Sequence, residues 1–313
     1  MKLSIVVCTY NREKYLYNLL KSISENDFPK ELYEIVLINN NSSDGTEKEC
    51  FRFQTDFPDV DFQYVKEEKQ GLSFARNRGI MCASGDVLIY VDDDALVNRD
   101  YLKTYYDFFE QNPLVEAAGG AIIPLYETSE PVWMTFYTKQ LLTAYLYKGE
   151  NVKPFGRGEF PGGGNAAYRR SVFDEIGLFN TDLGRKGSSL ASAEEKDVFE
   201  RMRKRKMKIF YLPKAILYHI IPKRKLEKKY FNQLTYEIGK SERQRTLSYS
   251  RLKFAERLFV ELLKWGATCV LFLFYLIKLT PKKGVKLLIF RRNVTKGLLE
   301  INVKIFQYVF PLK

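Results

Sequence analysis

The sequence predicts an α/β protein built on a mostly parallel sheet with helices on both faces, followed by a basic helical tail. Three observations carry this. Short runs of β-branched and aliphatic residues alternate with segments of helical spacing through the first hundred residues. The polar and acidic residues that punctuate this alternation fall at the carboxyl ends of the runs, where open parallel sheets bind ligands. The charge also divides: residues 1–200 hold 22 Lys/Arg and 32 Asp/Glu, whereas residues 201–313 hold 28 and 6.

Leu3–Cys8 is a strand of the buried type. Arg12–Ser24 places Tyr15, Leu16, Leu19, Leu20 and Ile23 on one helical face. Glu34–Ile38 is a second buried strand. The turn Asn41-Ser-Ser-Asp-Gly follows, in which Ser43 or Asp44 can cap the next helix. Asp61–Val65 reads as a third strand, Ser73–Ala83 as a helix and Asp86–Val91 as a fourth strand. Strands separated by helices of this length form right-handed βαβ units. Glu116–Pro124 is another strand, and Leu125–Phe160 is a long aromatic-rich stretch containing Trp133. Phe160-Pro-Gly-Gly-Gly-Asn is a glycine loop that allows close backbone approach to a ligand. The helix Glu194–Lys206 precedes two strands, Ile209–Leu212 and Ala215–His219. A boundary near Ile221-Pro222 separates a body, 1–221, with a nucleotide-binding part to about 98 and an acceptor part from about 99, from a basic tail, 222–313.

Composition sets limits on function. The 313 residues suit one large domain or two ordinary ones, and a hydrophobic content of 45% excludes a disordered chain. The four cysteines form no C-x-x-C pair, which excludes a disulfide scaffold or zinc ribbon and suits a reducing compartment. A single histidine, His219, excludes a multi-histidine metal site. The first ten residues lack the apolar stretch and cleavage site of a secretory signal and read as a strand. Trp265–Ile277 is the most apolar stretch, flanked by Lys264 and Lys278. It is short of the roughly 20 residues that span a bilayer, and extension back to Leu258 takes in Glu261 and Lys264. It is therefore read as interfacial ahead of spanning or packed. The tail's cations beside apolar faces favour an anionic membrane surface. Arg201–Lys208 is basic, but no recognition helix, zinc finger or RNP-like strand accompanies it, so nucleic acid is not expected.

The chemistry concentrates in few places. Three consecutive carboxylates, Asp92, Asp93 and Asp94, follow an apolar strand directly. Their mutual repulsion favours a hard divalent cation, Mg²⁺ or Mn²⁺, that bridges to phosphate; a solvated acidic turn is the alternative. Asn39-Asn-Asn-Ser-Ser-Asp offers amides to a base or ribose, or simply an Asx turn. Glu194, Glu195 and Asp197 open a helix, where acids favour the dipole; two acids together also raise one pKa and can supply a general base. His219, at a strand end, suits a phosphate or metal contact as well as a structural role.

Taken in order, Ser4-Ile-Val-Val-Cys-Thr-Tyr-Asn-Arg, Asn40-Asn-Ser-Ser-Asp-Gly-Thr, Gly71-Leu-Ser-Phe-Ala-Arg-Asn-Arg-Gly, Tyr90-Val-Asp-Asp-Asp, Gly163-Gly-Asn, Glu194-Glu-Lys-Asp and Tyr211-Leu-Pro with Tyr218-His219 resemble the family 2 inverting glycosyltransferases of the GT-A fold. The resemblance implies a metal-dependent transfer of one sugar from a UDP-, GDP- or dTDP-sugar to an acceptor hydroxyl. By position it puts Thr9, Tyr10, Asn11 and Arg12 against the nucleotide, with Asn39, Asn40 and Asp44 near base and ribose. Arg76, Asp92 and Asp93 complete the donor set. It assigns the metal to Asp94 with Asp92 and His219, and the acceptor side to Trp133, Gly163, Gly164 and Asn165. Glu195 takes the place of the catalytic base; because the family usually has Asp there, Glu194 and Asp197 stay open as alternatives. The basic tail then implies a lipid-linked or cell-surface glycan acceptor at the cytoplasmic face of a bacterial plasma membrane. A sugar-phosphate nucleotidyltransferase would need an early glycine-rich phosphate loop, which Cys8-Thr-Tyr-Asn-Arg does not provide. A non-catalytic scaffold has no need of Asp92, Asp94 and an acid at position 195.

Overall fold

The computed structural model describes residues 1–187, 190 and 193–300. They divide into two compact units, one of residues 1–127, 143–182 and 194–221, the other of 128–142, 183–193 and 222 onward.

In the first unit, and among the described residues, nine strands form one sheet. In chain order they are β1 (Leu3–Thr9), β2 (Tyr33–Asn39), β3 (Phe62–Lys66), β4 (Val87–Asp92), β5 (Ala95–Val97), β6 (Ala117–Tyr126), β7 (Lys153–Pro154), β8 (Asn165–Arg169) and β9 (Ile209–Ile221). The spatial order is β3-β2-β1-β4-β8-β6-β9-β5, with β7 on β9. The first four strands are parallel; β8 runs antiparallel to both β4 and β6. The central parallel strands β1, β2 and β4 are buried on both faces, which is why they read as continuous apolar runs.

Alternation along β1 sends Leu3, Ile5 and Val7 to one face and Val6 to the other. The first face packs α1 (Glu13–Ser24), α2 (Thr46–Asp56) and α4 (Tyr101–Gln111); the second packs α3 (Leu72–Cys82), α6 (Ser171–Ile176) and α7 (Glu194–Lys204). The α1 residues Leu16, Leu19, Leu20 and Ile23 are fully buried, each worth roughly 1.5–3 kcal/mol of transfer free energy. The N-termini of α1 and α2 satisfy one another: Asp44 accepts from Glu13 N and Thr46 N, while Glu13 Oε2 accepts from Gly45 N at 2.6 Å.

Ile209–Leu212 and Ala215–His219, expected as two strands, belong to the single strand β9. Its register against β6 jumps from Gly120↔Leu212 to Ala121↔Ile216, so residues 213–215 bulge out. Pro213 cannot donate to a ladder, which is the local reason for the bulge. Gly120 is required there, because a Cβ would strike the Ala215 carbonyl.

The second unit holds α5 (Phe136–Thr143, all but its last residue) and three long helices, α8 (Lys228–Tyr249), α9 (Arg251–Ile277) and α10 (Pro281–Leu299). Gly239 of α8 and Gly297 of α10 let the two backbones touch, since a Cβ on either would meet main-chain atoms of the other helix. Asn293 Nδ2 adds hydrogen bonds to Asn232 Oδ1 and Thr235 Oγ1, each 3.0 Å.

Candidate active site

Register places the predicted rim residues side by side. Thr9 is paired with Asn39, and Cys8 with Asp92, so the ends of β1, β2 and β4 share one edge. Past β1 the chain turns at Asn11, held at φ 53° by Ser43 N donating to Asn11 Oδ1 and Asn11 N donating to Ser42 Oγ. This turn carries Tyr10 and delivers Arg12 to the acidic triplet. Arg12 Nε donates to Asp93 Oδ1 at 3.1 Å, and its terminal nitrogen lies 3.7 Å from Asp94 Oδ2. Burial, against the counter-charge of Arg12, pushes the Asp93 carboxyl up to about 6, with Asp94 adding to the rise and buried Thr9 opposing it. Asp93 therefore belongs to an internal ion pair.

Asp94 faces His219, which β9 brings across in register with Ala95. His219 Nε2 lies 3.3 Å from Asp94 Oδ1, and Nδ1 lies 2.7 Å from the Thr143 carbonyl. A carbonyl accepts only, so Nδ1 carries a proton. Nε2, the other ring nitrogen, is directed at the Asp94 carboxylate. An imidazole nitrogen and a carboxylate oxygen 3.3 Å apart are donor types that a divalent cation takes. Among the described residues no cluster of three or more His, Cys, Asp or Glu converges. A pair of protein donors is what Mg²⁺ or Mn²⁺ uses when phosphate oxygens supply the rest, so the residues fit that ion.

A second charged group stands on α3 and α7. Arg76, 3% exposed, donates to Glu194 Oε1 at 3.2 Å and lies 2.7 Å from Glu195 Oε1. Its guanidinium sits over the rings of Tyr90 and Phe179, at 5.7 and 5.3 Å. Arg76, expected in the donor set, is in this structure the counter-ion of the acidic helix start. Its fork divides the two acids. Burial and the neighbouring Glu195 push Glu194 up to about 8 despite Arg76. Burial also pushes Glu195 upward, but the Arg76 charge and hydrogen bond outweigh it and hold that carboxyl below its usual range. Glu194 is 2% exposed and Glu195 21%, so the ionised member is the reachable one. Sequence reasoning missed Phe179, which has no local signal; Asn77 fixes it by bonding both its N–H and its carbonyl.

The glycine loop joins the two groups. A Cβ on Gly163 would overlap the Glu195 carboxylate, and one on Gly164 would overlap that of Asp92. Asp92 N also donates to Gly164 O at 3.3 Å. Bare backbone thus passes between the acids of β4 and those of α7.

Other candidates are engaged in hydrogen bonds within the fold. Asn40 donates to the carbonyls of Glu67 and Lys69 and accepts from Gly71 N, which fixes the loop into α3 and leaves no amide proton for a base. Asn39 accepts from Ser42 N and donates to Tyr64, closing the turn. Asp44 is the helix-terminus acceptor described above. Asn165 is fully buried: it donates to the carbonyls of Ala121 and Ala215 and accepts from the hydroxyls of Tyr101 and Tyr105, both at 2.7 Å. It secures the β9 bulge. Asp197, the third acid of α7, is paired with Arg201. It accepts from Arg201, which in turn donates to the carbonyls of Ile176, Gly177 and Leu178. Trp133 stands in the second unit, its ring 5.8 Å from that of Phe231, with Lys286 Nζ over both.

Comparison with known proteins bears on the family and the fold. The model of the family described as glycosyl transferase family 2 matches residues 4–177. A glucosyl-dolichyl phosphate glucuronosyltransferase of Haloferax volcanii is 33% identical over 213 residues, 64% of this chain and 63% of that protein. The chain thus spans a little under two thirds of that relative's length. The poly(ribitol-phosphate) β-N-acetylglucosaminyltransferase TarS of Staphylococcus aureus is 30% identical over 112 residues, 36% of this chain and 19% of that one. Among solved structures, the mannosyltransferase PcManGT of Pyrobaculum calidifontis, in complex with GDP-Man and Mn²⁺, superposes with a TM-score of 0.64 at 18% identity, covering 96% of this chain and 88% of that one. TarS residues 1–349 superpose at 0.53 and 20% identity, covering 76% and 65%. These two share the fold. Since the family match runs from β1 to the end of α6, more than half the chain, this protein belongs to glycosyl transferase family 2 and has the GT-A fold.

Proposed function

We propose that the protein is a metal-dependent inverting glycosyltransferase that moves one sugar from a nucleoside diphosphate sugar to a hydroxyl of a lipid-linked or cell-surface glycan. The observation that carries this reading is the glycine loop, which sets the Asp92 carboxylate and the ionised Glu195 carboxylate on adjacent residues of one bare backbone. Acids at β4 serve the leaving side and the acid at α7 serves the attacking side.

Asp94 and His219 would hold Mg²⁺ or Mn²⁺, which when bound supplies positive charge against the diphosphate as it leaves. The remaining steps fall to the chain. Thr9, Tyr10 and Asp92 at the sheet edge receive the nucleoside. Glu195 takes the proton from the acceptor hydroxyl as its oxygen bonds to the anomeric carbon. The carbon–oxygen bond to phosphate breaks on the opposite side, and the nucleoside diphosphate departs with the electron pair. One displacement inverts the centre. Glu194, kept neutral, adds no second negative charge beside the base. The reading also takes the acceptor to lie at the cytoplasmic face of a membrane, supported by the lipid-linked acceptor in the name of the Haloferax relative and by the basic tail.

The test is a thermal-shift screen of UDP, GDP and dTDP with and without Mn²⁺, followed by turnover of the sugar nucleotide that stabilises most. Asp94→Ala should lose both the Mn²⁺-dependent shift and turnover. Glu195→Gln should keep the shift and lose turnover by about 10²–10⁴-fold. Undiminished turnover in Glu195→Gln would remove that residue from the reaction, and pyrophosphate release from a nucleoside triphosphate would replace the whole assignment.

A further inference from the structure

Helix α9 is built inside out. Ordinary surface helices turn apolar residues to the core and charges to water. Here the inward position Glu261 is 3% exposed and is held by Arg257, by Arg291 and Thr295 of α10, while Trp265 Nε1 donates to the same Thr295. The outward positions Phe259, Leu262, Leu263, Val270, Leu273 and Ile277 are between 57% and 80% exposed. Only 11% of the helix's most apolar stretch is buried. A continuous apolar face of this extent marks an interaction surface.

The cations decide what covers it. Arg251, Lys253 and Lys264 lie on α9 and Lys278 directly follows it, among or beside the apolar positions, and residues 201–313 hold 28 Lys/Arg against 6 acids. A second copy laid on this face would bring like charges together; anionic lipid headgroups neutralise them. By length and composition α9 could also cross a bilayer. Its neighbour argues otherwise. Helix α10 runs back alongside, with Gly284 against Phe272 near one end and Thr295 against Glu261 near the other. It carries Lys286, Arg291, Arg292 and Lys296 along its length, which a crossing α9 would drag into the bilayer.

We propose that α9 is a monotopic membrane element, lying in the plane of an anionic leaflet with its outer face in hydrocarbon and its Glu261 face against α10. This deepens the membrane reading above and rests on it for the acceptor, but not for the surface. The test uses the full chain and vesicles of phosphatidylcholine with or without phosphatidylglycerol. The protein should float with the anionic vesicles. Leu262→Asn with Leu273→Asn should lower partitioning by about tenfold for each substitution, with the melting temperature and nucleotide-sugar turnover unchanged. In a Cys269→Ala background, Arg251→Cys and Leu279→Cys, at the two ends of α9, should each add one label from a membrane-impermeant maleimide applied outside intact vesicles. Equal flotation of the double variant, an end that reacts only after detergent, or a vesicle-free dimer abolished by the same substitutions would each overturn the proposal. Failure of the enzymatic reading would show instead as absent turnover with flotation intact.

Discussion

At the scale of single residues, this protein uses its polar side chains in two ways. Asn165 shows the first. Its amide makes four hydrogen bonds inside the core, so Asn165→Ala strands two tyrosine hydroxyls and two carbonyls. A loss of about 3 kcal/mol or more is expected, read from the urea unfolding midpoint. Arg76 shows the second. Without it, burial of Glu195 is opposed only by hydrogen bonds from Glu194 and the backbone, and its pKa rises. The acid limb of turnover in Arg76→Gln should therefore move up by about 1–3 pH units, with activity recovered as the pH is raised. Glu194 has the opposite linkage to stability. Its carboxyl titrates at the ordinary 4.5 in the unfolded chain and at about 8 when buried, so the folded state keeps a proton that the unfolded state has lost. The stabilisation is complete below pH 4.5 and fades as pH rises through about 8. Glu194→Gln, which does not titrate, should flatten that part of a stability curve measured from about pH 5 to pH 9.

At the scale of elements, the glycine loop is the part most sensitive to a single methyl group. Gly163→Ala puts a Cβ where the Glu195 carboxylate lies. It should cut kcat by about 10²-fold or more with little change in melting temperature, because the clash falls on the base and not on the sheet. The sequence was most legible where burial enforces periodicity: β1, β2, β4, α1 and α3 all sit within a residue or two of their expected bounds. Elements of small or mixed residues escaped it. Strand β8, Asn-Ala-Ala-Tyr-Arg, and the three-residue β5 have no period long enough to read, and α4 buries aromatics that its neighbours share. The candidate site was legible as a set of strand ends, since register follows from topology. The partners of its amides were not, because the backbone groups that Asn40 and Asn165 bind are distant in sequence.

At the scale of the whole chain, two kinds of force act on different segments. The first 200 residues carry more acids than bases and the remainder is strongly basic, so vesicle binding should have a salt-sensitive component. Raising salt from low to high should weaken binding to anionic vesicles without abolishing it, as measured by flotation, because the apolar contact of α9 is unscreened. Complete release by salt would mean that charge alone holds the protein. The hidden glutamate of α9 has a practical corollary for handling. With that glutamate tied inward, an uncharged strip is left between the cations of α9, so a mild detergent or nanodisc should be a medium that shields the strip and keeps the purified chain dispersed as single molecules.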